Sequence, residues 1–232
     1  SDLPDDLKAQ FPMIEECLKI LGIPILRVNG FEADDIIATI ARKCDKAGRH
    51  CLIMSADKDL QQLANENIHM LRPDKVKTWA EFDAHSIQEE WEVEPKKILD
   101  LLSLMGDSAD NVPGVAGVGP KTAVKLIKEY GSLEGIYENQ DKLTGSLAQK
   151  IRDNKENAFL SKKLITLEEN VPVTNLTDDF SIFNISSLNF SDFAQEMTKR
   201  ELPALAKIYR ELGGGSLPLA PAENSSFATP SA

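Results

Sequence analysis

Helical and strand-like segments alternate in the first 64 residues, and this alternation restricts the fold more than any other feature of the chain. Apolar side chains recur at helical spacing in three stretches, while two short apolar runs have the length of strands. The predicted helices cover residues 12–21, 32–47 and 60–64, and the predicted strands are Ile23 to Val28 and Cys51 to Met54. Strands joined through helices normally pair in parallel, so the pattern predicts an α/β domain with a mostly parallel sheet flanked by helices.

Two further helices are predicted on either side of a glycine-rich turn in the middle of the chain. The first runs from Lys96 to Met105, where Gly106 ends it, and the second runs from Thr122 to Tyr130. Between them lies the glycine turn, Gly117 to Thr122. The order of helix, tight turn and helix is typical of a helix-hairpin-helix motif.

This organisation predicts three segments. Residues 1–95 form the α/β core, and residues 96–212 form the helix-hairpin-helix with a helical subdomain. Residues 213–232 are rich in Gly, Ser, Pro and Ala and carry few large apolar side chains, so they cannot bury a core. We expect them to form a flexible linker or tail.

Charge and cysteine content narrow the class of protein. A net charge of −11 over 232 residues argues against a simple nucleic-acid binder, because such proteins are normally basic. Bound divalent cations would reverse the local sign of an acidic site. The three cysteines occur singly, which fits a reducing compartment better than a disulfide framework. No stretch has the apolar length of a membrane span and no signal-peptide pattern is present, so we expect a soluble intracellular protein without a membrane partner.

Seven carboxylates fall in three tight groups, each at the end of a predicted element. They are Glu32, Asp34 and Asp35, then Asp57 and Asp59, then Asp107 and Asp110. Ligands bind α/β sheets outside the carboxyl ends of the strands, which is where the first two groups are expected. Hard divalent ions such as Mg²⁺ prefer oxygen ligands, and phosphodiester hydrolysis by two metals requires several carboxylates. The pattern therefore predicts a binuclear metal site.

Each group also has a simpler interpretation. Acidic residues in the first turn of a helix commonly cap free N–H groups, and the first group could do only that. Glu32 and Asp35 share one helix face while Asp34 is expected to point aside, an arrangement that concentrates more charge than capping requires. Three such groups at the element ends of one sheet are much less expected by chance than one, which favours the metal site.

The glycine turn is expected to bind phosphate. Backbone N–H groups at such a turn and at the start of a helix can receive a phosphate, and Lys121, Lys125 and Lys128 follow along the second helix. The alternative is that Gly117 and Gly119 only supply positive φ in a packed connection and that the lysines form a solvated face. Apolar anchors alternate with the glycines, which favours phosphate binding.

The three histidines, His50, His69 and His85, are scattered and show no metal-ligand spacing. We expect them to be surface or strand residues. The predicted metal site therefore contains oxygen donors and no nitrogen donors.

Four segments carry the most distinctive motifs of the chain. They are GFEADDIIA (30–38), SADKDLQQL (55–63), LLSLMGDSADNVPGVAGVGPKTA (101–123) and LIKEYGSLE (126–134). Together they resemble the 5′ nuclease (flap endonuclease) family, most nearly the N-terminal 5′-3′ exonuclease domains of bacterial DNA polymerase I. The resemblance implies a PIN-like α/β fold with a helix-hairpin-helix, and removal of 5′ flaps and primer RNA in DNA replication and repair. It also implies a location in the bacterial cytoplasm, at the nucleoid, and polymerase domains in the same parent chain.

The same resemblance assigns roles to individual residues. All seven carboxylates match metal-site positions of the family, which implies two Mg²⁺ ions, replaceable by Mn²⁺. The positions that the resemblance assigns to catalysis are Asp34, Asp35, Asp57 and Asp59. The turn that contacts the DNA backbone, with room for K⁺, is matched by Gly117, Val118, Gly119, Lys121, Thr122 and Lys125.

One departure from the family pattern bears on activity. Family members carry, ahead of the segment that begins here, a strand with a catalytic Asp, another acidic ligand and an arch with Lys and Arg. We therefore expect an α/β core that is incomplete at its N-terminus. The chain alone is expected to bind branched DNA weakly and to cleave it poorly or not at all, and a separately supplied N-terminal piece is expected to pair with the open sheet edge and restore cleavage.

These observations predict a structure-specific, metal-dependent 5′-3′ nuclease domain acting on flap, nicked or branched DNA. Two alternatives remain at this stage. One is a non-catalytic fragment that binds duplex DNA through the helix-hairpin-helix, and metal-dependent cleavage of a flap substrate separates it from a nuclease. The other is a ribonuclease of a related carboxylate-rich α/β fold, and the helix-hairpin-helix argues against it.

Overall fold

The computed structural model describes residues 3–73 and 79–214. Contacts divide the chain into two compact units, one made of Ser1–Leu26 with Asn175–Ala232 and the other of Arg27–Thr174. The predicted division at residue 95 falls inside the larger unit. Among the described helices, none is both long and apolar enough to cross a membrane.

Helices dominate the described part of the chain. The α-helices are α1 Asp5–Lys8, α2 Phe11–Leu21, α3 Ala33–Lys46, α4 Ala84–Trp91, α5 Ile98–Met105, α6 Pro120–Tyr130, α7 Leu133–Glu138, α8 Gly145–Asp153, α9 Lys155–Ile165, α10 Phe190–Lys199 and α11 Pro203–Gly214. The strands are β1 Cys51–Met54, β2 Ile68–Pro73 and β3 Trp79–Phe82. Short 3₁₀ segments cover Asp59–Leu63, Pro95–Lys97, Gln140–Lys142, Ser181–Phe183 and Ile185–Ser187. The predicted helices at 12–21, 32–47, 96–105 and 122–130 are therefore confirmed to within a few residues, while the helix predicted over 60–64 is a 3₁₀ turn.

The sheet is small and mixed, in the order β1-β2-β3. β1 pairs with β2 in parallel, and β2 pairs with β3 in antiparallel fashion. The expectation of a mostly parallel sheet thus holds for one of the two pairings. Only residues 74–78 separate β2 from β3, and so short a connection cannot make the crossover that a parallel pair requires.

The strand predicted over 23–28 is not formed. A strand needs a neighbour that exchanges backbone hydrogen bonds with it, and no strand of the described ranges pairs with this segment. Its apolar pattern alone was therefore insufficient to make it a strand.

The larger unit has one continuous core that extends from the sheet to the helices that follow it. Ile53 of β1 and Met70 of β2 are buried together with Leu101 and Leu104 of α5. Because α5 is buried on nearly every side, it is apolar along most of its length. It holds the segment after Gly106, and with it the third carboxylate group, against the same core.

The pair α5 and α6 matches the predicted helix-hairpin-helix, but the connection is longer than a tight turn. It runs from Gly106 to Gly119 and contains a small antiparallel bridge between Asp107 and Val112. Its first residue, Gly106, lies against Gly114 in the middle of the connection, where a Cβ on Gly114 would lie 2.4 Å from the Gly106 nitrogen. Both glycines also have positive φ, which disfavours other residues. The close approach and the backbone conformation therefore both require glycine at these positions.

The smaller unit packs α2, α10 and α11 around Leu21, Phe193, Met197 and Ala206. Its last helix continues to Gly214, so the first two residues of the predicted tail, 213 and 214, are helical. The rest of that predicted tail lies outside the described residues.

Candidate active site

The first two carboxylate groups meet through Asp34 and Asp57. Asp34 lies in the first turn of α3, and Asp57 follows β1, within hydrogen-bonding reach of the Asp34 carboxyl group. Burial raises the pKa of Asp34 above its usual range, and the negative charges of Asp57, Glu32 and Asp35 raise it further. Two carboxyl groups in such contact favour a shared proton or a bound cation.

Asp59 extends this cluster into a buried position. Its pKa is raised to about 6, first by burial and then by the charge of Asp57, while Lys58 opposes the shift and Asp107 and Asp110 add to it. Its Oδ1 atom is buried and has no hydrogen-bond partner in the described chain. A buried acceptor without a donor is costly, and a cation would satisfy it.

Asp107 brings in the third group. Its backbone is fixed by two hydrogen bonds with Val112, of 2.9 and 2.7 Å. A hydrogen bond from Lys58 holds the pKa of Asp107 below its usual range, burial opposes that effect, and the Ala109 N–H and the Asp110 side chain reinforce it. Asp107 is therefore ionised at neutral pH and oriented toward the Asp57–Asp59 segment.

Lys58 is the site residue that the sequence analysis did not identify. Its Nζ donates to Asp107 Oδ2, and its side chain is one-third exposed. The sequence did contain a signal, because a lysine placed between Asp57 and Asp59 is surrounded by predicted ligands. A single cation among so many carboxylates can pair with one of them and leaves the others repelling one another.

Glu32 and Asp35 are engaged differently from the rest of the first group. They form a capping box at the start of α3, in which each side chain accepts from the other's backbone N–H. The second oxygen of Asp35 accepts from the Glu168 N–H at 2.9 Å. These two carboxylates therefore fix the helix start, and Asp34, which was expected to point aside, is the member that reaches the second group.

The glycine turn differs at its two glycines. Gly117 has φ +74, and Lys150 donates to its carbonyl oxygen at 3.1 Å. Gly119 is the N-cap of α6 with φ −96 and ψ 179, an extended conformation open to any residue, so the alternative in which both glycines only supply positive φ does not hold for Gly119. A Cβ on Gly119 would point into open space.

The start of α6 presents free donors beside that open space. The N–H groups of Thr122 and Ala123 bond back to the Gly119 carbonyl, whereas those of Gly119 and Lys121 have no acceptor in the described part of the chain. The Val118 side chain is buried and its N–H donates to the Val115 carbonyl at 3.0 Å, so Val118 adds no free donor. The turn thus offers backbone donors at the positive end of a helix dipole.

The lysines of α6 lie next to these donors. Lys121, Lys125 and Lys128 line a shallow groove together with Val124, Glu92 and Glu129, so cations outnumber anions there by one. Lys128 is paired with Glu92 at 3.1 Å. The local charge at the start of α6 is therefore positive, on a chain whose net charge is −11.

Known proteins are similar to this chain along most of its length. The model of the 5′-3′ exonuclease N-terminal resolvase-like domain matches residues 1–92, and that of the 5′-3′ exonuclease C-terminal SAM fold matches residues 93–187. The 5′-3′ exonuclease of Aquifex aeolicus (strain VF5) is 40% identical over 92% of this chain and 72% of its own length. The DNA polymerase I of Treponema pallidum (strain Nichols) is 45% identical over 88% of this chain, which spans 20% of that protein.

Solved structures share the fold. The T5 D15 protein co-crystallized with metal ions aligns with a TM-score of 0.60 at 23% identity, over 89% of this chain and 73% of its own. The catalytic core of Rad2 in complex with DNA substrate aligns with a TM-score of 0.54 at 19% identity, over 91% and 70%. The PIN-like 5′ nuclease fold and the family resemblance are confirmed. With both family models matched in order and most of the Aquifex aeolicus protein covered, the chain belongs to the 5′-3′ exonuclease family.

Proposed function

We propose that this chain is a structure-specific, metal-dependent 5′-3′ nuclease domain that hydrolyses phosphodiesters at 5′ flaps, nicks and primer RNA. The observation that carries the proposal is that carboxylates of the segments around residues 57 and 107 lie near Asp59, whose Oδ1 is buried and has no partner in the described chain. Asp34 joins the same cluster through its contact with Asp57. A structural acidic cluster would be expected to pair its buried oxygens. This one leaves an acceptor free where three other carboxylates contribute negative charge.

The donor set fits hard divalent ions. Asp34, Asp57, Asp59, Asp107 and Asp110 offer oxygen atoms alone, which suits two Mg²⁺ ions or the Mn²⁺ that can replace them. When bound, such ions activate a water and stabilise the leaving oxygen of the phosphodiester. Glu32 and Asp35, which were predicted as metal ligands, are instead proposed to position the site, because the cap that they form holds α3, and hence Asp34, in place.

Lys58 has a positioning role in this site. Its hydrogen bond keeps Asp107 ionised and directed toward the cluster. It also places one positive charge where an anionic phosphate would otherwise meet only carboxylates. The charge of the site is therefore partly balanced before any ion binds.

The glycine turn is the proposed contact with duplex DNA. The free N–H groups of Gly119 and Lys121, with the side chains of Lys121 and Lys125, suit a phosphate of the backbone, and Gly117, Val118 and Thr122 shape the turn around them. K⁺ is proposed to bind at the same turn. The DNA complex of Rad2 and the T5 D15 complex with DNA and metal ions support DNA as the substrate.

The parent protein is proposed to be a DNA polymerase I. The relatives of that name, in which this chain spans about a fifth of the length, support polymerase domains in the same protein. They are bacterial proteins, which supports the proposed location in the cytoplasm at the nucleoid.

The proposal is tested with a 5′-flap duplex, using the 232-residue chain and the same chain within its full coding sequence. Cleavage should require added Mg²⁺ or Mn²⁺. Asp59→Asn should lower the rate at least about a hundredfold, because bound metal contributes several kcal/mol to such reactions. Asp141→Asn, at an exposed position on another segment, is the matched control and should keep the parent rate. Undiminished cleavage in chelator, or DNA binding without cleavage by either protein, would overturn the nuclease proposal.

A further inference from the structure

Two histidines and a glutamate that are far apart in sequence meet on one face of the sheet. His50 precedes β1, His69 lies in β2 and Glu81 lies in β3. The strand register explains the meeting, because His69 pairs with Leu52 and Glu81 pairs with Leu71. Residues two apart in a strand share a face, so His50, His69 and Glu81 form a diagonal row across the sheet. His50 is exposed and His69 lies in a strand, as expected, but the strand register brings the two rings together although their spacing along the chain does not suggest a shared site.

The three side chains direct their ligand atoms at one another. His69 Nδ1 lies 3.1 Å from His50 Nε2 and 2.6 Å from Glu81 Oε1. His50 Nε2 lies 3.7 Å from the same oxygen. A point about 2 Å from all three atoms exists, which is the bond length of Zn²⁺ to imidazole nitrogen and carboxylate oxygen. The two rings meet edge to face at 88°, so they do not stack on each other.

Hydrogen bonds cannot satisfy this arrangement fully. The Nδ1 atom of His69 has a single in-plane site, which holds either a proton or a lone pair. When that proton goes to Glu81, the lone pair of His50 Nε2 faces a nitrogen that has no second proton to give. A cation at the centre would accept a lone pair from each of the three groups.

Access and donor chemistry indicate the kind of cation. The side chain of His69 is 20% exposed and those of Glu81 and His50 are about half exposed, so solvent can reach the group and supply a fourth ligand. Two imidazoles and one carboxylate suit Zn²⁺ and related transition metals, whereas Mg²⁺ prefers oxygen ligands. This donor set also differs from the all-oxygen cluster of the candidate active site.

We propose that His50, His69 and Glu81 form an accessory Zn²⁺-type site on the face of the sheet. A bound ion would join the start of β1 to β2 and β3. Because the three ligands come together only in the folded chain, binding would stabilise the sheet. This site is independent of the proposed nuclease function, so failure of one leaves the other standing.

The test is a Zn²⁺ titration of the 232-residue chain by calorimetry, in excess Mg²⁺, followed by thermal unfolding with and without Zn²⁺. The parent should bind Zn²⁺ and unfold at a higher temperature with it. His50→Gln and Glu81→Gln should each weaken binding at least tenfold and remove the shift in unfolding temperature. His85→Gln, on the exposed surface of α4, is the matched control and should behave like the parent.

Two further measurements keep the result unambiguous. Co²⁺ in place of Zn²⁺ should give the visible absorption of a tetrahedral nitrogen and oxygen site without a thiolate band, which separates this site from the cysteines. Asp59→Asn should retain Zn²⁺ binding here. His50 lies outside the strands, so its substitution tests the site even where His69→Gln fails to fold. Equal Zn²⁺ affinity in the parent, His50→Gln and Glu81→Gln would overturn the proposal.

Discussion

The carboxylate cluster and the glycine turn lie in the same unit but are built in opposite ways. The cluster uses side chains from segments around residues 34, 57 and 107, partly buried and mutually repelling. The turn uses backbone N–H groups of one short segment, open to solvent and flanked by lysines. The first suits cations and depends on which side chains are present, while the second suits phosphates and depends on how closely a ligand can approach.

The largest effect is expected when negative charge is removed from the carboxylate cluster, because the cluster's affinity for divalent ions depends on that charge. Asp57→Asn combined with Asp107→Asn should lower Mn²⁺ affinity at least about tenfold, and by more if both are direct ligands. The fold should remain intact, because the substitution removes two negative charges from a crowded site and relieves repulsion. Calorimetric titration with Mn²⁺ measures the loss, and circular dichroism checks the fold. Unchanged affinity in the double variant would contradict the metal assignment.

DNA binding by the glycine turn should depend on the size of the side chain at residue 119, whereas metal binding by the cluster depends on charge. Gly119→Leu adds a side chain over the free N–H groups, so affinity for nicked duplex should fall about tenfold. Stability should change by less than about 1 kcal/mol, because the backbone there is extended and a Cβ meets open space.

Gly117→Ala is the matched contrast for Gly119→Leu. Its φ of +74 is unfavourable for alanine and its Cβ would lie 2.7 Å from Lys150 Nζ, so stability should fall by about 1 kcal/mol. Fluorescence anisotropy with nicked DNA and urea unfolding give the two quantities. A Gly119→Leu variant that binds as the parent does would make the turn a packing element only.

The free energy of unfolding should depend on pH because Asp59 is buried in the cluster. The pKa of Asp59 is raised to about 6 in the folded state, above its unfolded value, so the folded chain holds this proton more tightly. Stability is therefore lost as the pH rises from about 4 through 6, by about 1 to 2 kcal/mol after allowance for solvent.

The pH effect is isolated by comparison with Asp59→Asn in chelator. Urea unfolding should show the parent losing stability relative to the variant between pH 4 and 7, and Mn²⁺ should remove that difference. Parallel pH profiles for the two proteins would show that Asp59 is not under strain in the folded state.

The smallest expected effect concerns one lysine of α6, next to the glycine turn. Lys125→Ala should weaken DNA binding to a similar degree on any sequence and reduce the slope of log affinity against log salt by about 1. Lys128→Ala should do less, because Lys128 is already paired with Glu92. Stability should stay within about 0.5 kcal/mol for both. Salt-dependent anisotropy measures the slopes, and equal effects from the two lysines would argue against a DNA path along this side of α6.

The spacing of apolar residues along the chain predicted the helices better than it predicted which strands pair in the sheet. The periodicity of α3 and the glycine that ends α2 are properties of neighbouring residues, and both helices form as expected. The segment 23–28 has the composition of a strand but no described strand beside it, and pairing is decided by residues elsewhere in the chain. Neither β2 nor β3 was predicted from the sequence. The short connection between them explains why they pair in antiparallel fashion.

The same limit applies to the site. The three carboxylate groups were visible as groups, but which oxygen faces the centre depends on the cap that Glu32 and Asp35 make at α3 and on the contact with Glu168. Lys58 was overlooked because a single lysine has no motif of its own. His50 and His69 are brought together by strand register alone, which no spacing along the chain reveals.

Anomalous X-ray diffraction from crystals grown with Mn²⁺ would show whether the carboxylate cluster binds metal ions. We expect anomalous peaks about 2.1 Å from oxygens of Asp34, Asp57, Asp59 and Asp107, near the Asp59 Oδ1 that has no partner in the described chain. Well-ordered carboxylates at saturating Mn²⁺ with no anomalous peak among them would contradict it.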